Sequence, residues 1–269
     1  MSYRVKPRLW MALPVAVLLA LISMLGVPLL LSSWTNDPSR IWMVLVAICL
    51  TVLLVFVPVF AALGWLRPTL FDPQRVRNVG LFVLSMSPMI VLAVWIAFGG
   101  YGDPQGLVIP IILSALQAAL WEEFVWRGAT VFLLRTRLAE IWVALIPAAL
   151  FGVMHLTNLS TGKNLGDTIY QVFYATLFGL AMYAIRRVTG SIFVGVLVHF
   201  LNNSVTELFY FDDAPVLYKI GDIPMTLPDL IMDSSLVVGA ITAIIIALRY
   251  PRVPVLPTPD VGFATRKNR

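Results

Sequence analysis

Charge is scarce in this sequence. Asp, Glu, Lys and Arg make up only 12% of its 269 residues, while 59% are hydrophobic. A soluble globular domain carries roughly 25% charged residues. So little charge cannot cover a soluble surface of this size, which excludes a cytosolic enzyme and a disordered regulator. Cysteine is nearly absent: Cys49 stands alone within an apolar run. That excludes a disulfide-built secreted scaffold and a dithiol redox motif. The chain is basic, with a formal net charge of +5, but its cations are scattered singly between apolar segments. Such scatter reads as membrane orientation rather than a nucleic-acid surface. What the sequence has in abundance is unbroken apolar length, the mark of a polytopic membrane protein.

A bilayer core of about 30 Å needs about 20 apolar residues per helix. Runs that approach or meet this need lie at 9–33, 41–65, 81–98, 107–134, 141–156, 167–185, 191–209 and 228–248. The chain is expected to be an all-α bundle of about eight spans. The first run is too long for the h-region of a signal peptide and no small-residue cleavage site closes it, so it reads as a span. Fifteen of the nineteen Lys and Arg residues fall in alternate connections and the two terminal segments, among them Arg67, Arg75, Arg77, Arg135, Arg137, Arg186 and Arg187. The positive-inside rule then sets both termini in the cytoplasm. Asp37, Asp103, Asp212, Asp213 and Asp222 fall on the opposite side, in agreement. Residues 1–106 form an N-terminal group of about three spans, 107–208 a polar-bearing helical core, and 209–269 an outer loop, a last span and a basic tail. A multi-pass protein of the bacterial plasma membrane fits this pattern.

A charged side chain near the bilayer centre costs at least about 2.5–3.5 kcal/mol. The fourth run nevertheless contains Glu122, Glu123 and Arg127, and both histidines of the chain, His155 and His199, fall within runs, the latter followed by Asn202 and Asn203. Glu123 and Arg127 are spaced i,i+4, as are His199 and Asn203, so each pair shares a helix face. At 1.5 Å per residue, Glu122 lies about 20 Å from the basic end of its run, His199 about 18 Å and His155 about 22 Å. Each feature has a plain structural reading. A Glu–Arg pair bridges helices, a buried His packs, and an Asn glues spans together. Arg186 and Arg187 read as orientation signals. The coincidence of all six polar groups at one depth is what points to chemistry.

GluGluPheValTrpArg (122–127), PheGlyValMetHis (151–155) and HisPheLeuAsnAsn (199–203) follow the patterns EExxxR, FxxxH and HxxxN, in that order. In this the chain resembles the CPBP family, also called Abi or CAAX-protease-like, over roughly residues 107–208. That family contains type II CAAX prenyl endopeptidases and bacteriocin-processing and immunity proteins. The resemblance implies an intramembrane peptidase. Glu122 would be the general base that activates water, with His155 helping to position it. His199 and Asn203 would donate hydrogen bonds to the oxyanion, and Glu123 and Arg127 would orient the site.

Peptide hydrolysis needs a base, an acid and oxyanion donors, and this residue set contains them. A metal-free mechanism is favoured, because no HExxH helix exists and Asn is a poor zinc ligand. Zinc is the alternative, and Glu122, His155 and His199 would then hold it. The expected partner is a membrane-associated peptide or protein, lipidated or not, together with the bilayer itself and no nucleic acid. Two other functions use the same residue types: a proton-coupled transporter, and a non-catalytic scaffold or immunity protein.

Overall fold

The structure is a computed structural model that describes residues 3–26, 41–102, 107–211 and 214–252. Its elements are helices α1 (Leu9–Met24), α2 (Trp42–Leu63), α3 (Leu66–Leu70), α4 (Val79–Ser85), α5 (Ser87–Phe98), α6 (Val108–Leu134), α7 (Glu140–Ser160), α8 (Leu165–Thr189), α9 (Ile192–Leu208) and α10 (Leu227–Arg249). Two short antiparallel pairs accompany them. One joins β1 (Gly100–Tyr101) to β2 (Phe209–Tyr210), and the other is a hairpin of β3 (Tyr218–Ile220) and β4 (Ile223–Met225). Within the described residues, every apolar run of the sequence is largely helical. Five helices (α2, α6, α7, α8 and α10) are long and apolar enough to cross a membrane, and α4 with α5 form a pair bent by 49° that would make a sixth. Helices α1 and α9 are apolar but shorter. The end of the first run, and Asp37, Arg40, Asp103, Asp212, Asp213, Arg266, Lys267 and Arg269, lie outside the described residues.

Local chemistry sets the helix ends. Asn78, Asn164 and Ser191 cap α4, α8 and α9 through their side-chain oxygens, and Thr226 with Asp229 closes a capping box on α10. Gly190 ends α8 at φ 79°, a left-handed turn that glycine adopts without strain. The bend between α4 and α5 falls immediately before Pro88. Apolar side chains from every long helix form one core.

Small residues bring the central helices close, as membrane bundles require. At Gly152 a Cβ would stand 2.6 Å from the Val172 carbonyl oxygen, so α7 can lie on α8 only because that side chain is missing. Gly152→Ala should therefore lower stability by about 1–3 kcal/mol through overpacking. Thermal unfolding in detergent would check this, and an unchanged midpoint would mean that α7 and α8 pack differently.

Charge gathers at one end of the bundle. Asp72 lies 3.1 Å from Arg135 and 3.1 Å from Arg252, with Arg187 at 3.5 Å. Glu140 accepts from Arg135, from Arg187 at 2.9 Å and from the Tyr183 hydroxyl at 2.7 Å. Backbone bonds reinforce the join, from Asp72 N–H to Gly190 O and from Val76 N–H to Arg187 O. Arg186 and Arg187 are fully buried. Beyond marking orientation, they tie the segment after α3, the α6–α7 turn, the end of α8 and the residues after α10 together. At the same end, the Trp65 indole N–H donates to Val5 O at 2.7 Å.

Candidate active site

Residues 123–130 of α6 are wound more loosely than an α-helix, in π geometry. Such turns recur at functional sites because they re-aim side chains. Here the loosened turn begins at Glu123, directly after Glu122. Glu123 is fully buried and meets Arg127 at 3.2 Å. The Arg127 guanidinium lies 4.4 Å from the centre of the Phe151 ring, a cation–π contact with α7. Gly195 on α9 and Gly179 on α8 leave room for this pair. A Cβ at Gly195 would sit 3.2 Å from Glu123 Oε2, and one at Gly179 would sit 3.3 Å from Arg127 Nη2.

His199 projects from α9 between the two glutamates. Its Nδ1 is 3.0 Å from Glu123 Oε1 and its Nε2 is 3.5 Å from Glu122 Oε2. An ionised Glu123 can only accept, so Nδ1 carries the proton of that bond. The Phe178 ring meets the imidazole edge-on at 4.8 Å, and Phe151 lies 6.2 Å away. On α7, His155 Nδ1 donates to Phe151 O at 2.9 Å, which leaves Nε2 as its lone-pair atom.

These side chains open onto a cavity of about 790 Å³ that Glu122, His155, His199, Asn202 and Asn203 all line. That volume is within the range of ligand-binding clefts. Asn202 accepts from the Tyr174 hydroxyl at 3.1 Å and donates to Asn203 Oδ1 at 3.3 Å, so the Asn203 amide is held from its oxygen side. Farther along, Asp167, Tyr170, Glu207, Asp229 and Asp233 make the wall strongly acidic, with Lys163 the one lysine or arginine lining it among the described residues. Tyr170 donates to Asp233 at 3.0 Å. Ile223 of the β3–β4 hairpin reaches the same cavity.

The six residues singled out in the sequence therefore meet. Glu122, His155, His199 and Asn203 face one space, and Glu123 and Arg127 stand behind it. Among the described residues no three His, Cys, Asp or Glu side chains converge in metal-ligating geometry. Glu122, His155 and His199 line one cavity but do not close a zinc shell there. Sequence reasoning missed Tyr174, Phe178 and the His199–Glu123 bond. Asn202 had been noted only as a neighbour. A tyrosine at 174, four residues before Phe178 on α8, was the available signal, but nothing in the sequence says which helix that face meets.

No curated protein and no solved structure matches the chain. A family model does: residues 104–205 match the Rce1-like family, described as type II CAAX prenyl endopeptidase Rce1-like. Every candidate site residue lies inside that segment, so the part of the chain that carries the site is similar to the type II CAAX prenyl endopeptidases.

Proposed function

We propose that this chain hydrolyses a peptide bond within the membrane by a glutamate-activated water. The observation that carries the reading is that Glu122, His155, His199 and Asn203, from three helices, line one cavity. Glu122 takes a proton from water as the oxygen attacks the carbonyl carbon, and His155 Nε2 helps to hold that water. The oxyanion is met by the Asn203 amide N–H, whose orientation Asn202 and Tyr174 support. His199 Nε2 adds a second donor when both ring nitrogens carry protons, with Glu123 as the counterion. Glu122 then passes its proton to the amide nitrogen as the C–N bond breaks, leaving a carboxylate and an amine. Every step uses this chain's own side chains.

The substrate is a membrane-embedded peptide or protein. We further read the chain as eight spans with both termini in the cytoplasm of a bacterial plasma membrane, residues 107–208 forming the catalytic core between an N-terminal group (1–106) and a C-terminal segment (209–269). The meeting of the segment after α3, the α6–α7 turn, the α8–α9 turn and the residues after α10 at one end supports an even count. It requires α4 with α5 to act as one traverse, and both of the shorter helices, α1 and α9, to cross.

The test is cleavage by the purified chain in proteoliposomes, with farnesylated and unmodified CAAX-type peptides as probes. Asn203→Ala should lower kcat about 10²–10³-fold, the usual cost of one oxyanion donor, with little change in KM. Wild-type kcat in this variant would remove Asn203 from the mechanism. Failure of the wild-type chain to cut either probe would count against a CAAX-type substrate.

A further inference from the structure

A second pocket, of about 350 Å³, lies at the charge-rich end, far along α8 and α10 from the catalytic cavity. Gln74, Arg75 and Arg77 form its wall, Arg187 its floor, and Tyr250 one side. No carboxylate lines it. Arg75 and Arg77 are exposed, and among the described residues neither has an ion-pair partner. The buried layer beneath shares two carboxylates, Asp72 and Glu140, among Arg135, Arg187 and Arg252. The pocket therefore sits above an excess of positive charge.

The walls are fixed. Val76 N–H donates to Arg187 O at 2.7 Å, and the Arg75 stem packs on Gly190, where an added Cβ would stand 3.4 Å from its Cβ and Cδ. The height of the pocket is equally defined. Arg187 is two residues before the end of α8 and Tyr250 is one residue beyond α10, so the pocket lies at the ends of two helices long and apolar enough to cross a membrane. Exposed apolar side chains flank it on α4 and α10, with Val79 at 81% and Leu248 at 63% exposure. A guanidinium fork matches a phosphate oxygen pair, and basic pockets at such a level take lipid headgroups.

We propose that Arg75 and Arg77, above the buried charge of Arg187, bind the phosphate of an anionic phospholipid whose acyl chains run along the exposed flank of α4 and α10. A phosphate group is the shared chemistry. The apolar track favours a lipid over free phosphate, and the absence of any lining carboxylate disfavours a zwitterionic headgroup, which brings its own cation. The site does not depend on the peptidase reading.

The test uses the full chain in phosphatidylcholine nanodiscs with and without phosphatidylglycerol, read by native mass spectrometry and thermal unfolding. The wild-type chain should retain phosphatidylglycerol through delipidation, and the lipid should raise its unfolding midpoint. The double variant Arg75→Gln/Arg77→Gln, altered only at exposed positions, should retain roughly tenfold less. Equal retention by the two proteins overturns the site. Inorganic phosphate that reproduces the rise in phosphatidylcholine alone would overturn the lipid as the source.

Discussion

Glu122→Gln should leave a folded membrane protein that no longer cuts peptides, with kcat lower by about 10³-fold, in the middle of the range for losing a general base. Glutamine keeps the size and the cavity contact of Glu122, so KM should move little and the unfolding midpoint should stay near that of the wild-type chain. The substitution removes only the ability to take a proton from water. A binding or scaffold role would be indifferent to it, and a proton-coupled transporter would lose transport without ever having shown cleavage. Comparing membrane peptides from cells expressing wild-type and Glu122→Gln chains would measure activity and name substrates together. Undiminished cleavage by the variant would end the glutamate mechanism.

Asp72→Asn should cost about 3–5 kcal/mol at neutral pH, because it strands buried guanidiniums that the carboxylate neutralises. Asp72 is fully buried, and burial alone would raise its pKa. The neighbouring Arg135, Arg252, Arg186 and Arg187 outweigh that and hold it below the usual carboxylate value. A lowered folded pKa means that this stability is fully present above the unfolded value of about 3.9 and is lost as pH falls toward the folded one. The two proteins should therefore differ most at pH 6–7, roughly two units or more above that value, and converge in acid, once wild-type Asp72 is itself protonated. Thermal unfolding across a pH series in detergent would follow the gap. A gap that persists unchanged in acid would mean that the cost of Asp72→Asn comes from packing and not from charge.

The helices and the six polar residues were legible because both signals are local. Apolar length marks a span wherever it occurs, and an ionisable side chain within it violates a strong energetic rule. Partner choice is not local. Asp72 reads as half of an Asp-Pro turn, yet it gathers arginines from three distant segments. Arg186 and Arg187 obey the orientation rule so well that their burial leaves no separate trace. Asn202 and Tyr174 become meaningful only once α8 and α9 are known to face each other. The π turn of α6 has no compositional mark, although it governs how Glu122, Glu123 and Arg127 present themselves. The β3–β4 hairpin lay hidden in what read only as an outer loop, its pairing too short to leave a period.

The Asp72–Glu140 layer also sets the mechanics of the molecule. It locks the far ends of α8 and α10 to the α6–α7 turn, like the hinge side of a door. The opposite edge, which bears the hairpin, is joined by lighter contacts: Asp222 N–H donates to Asp167 at 2.9 Å and Asn164 donates to Asp222 at 2.6 Å. The acidic residues Asp167, Asp229 and Asp233 of the cavity wall therefore stand at the end away from that lock.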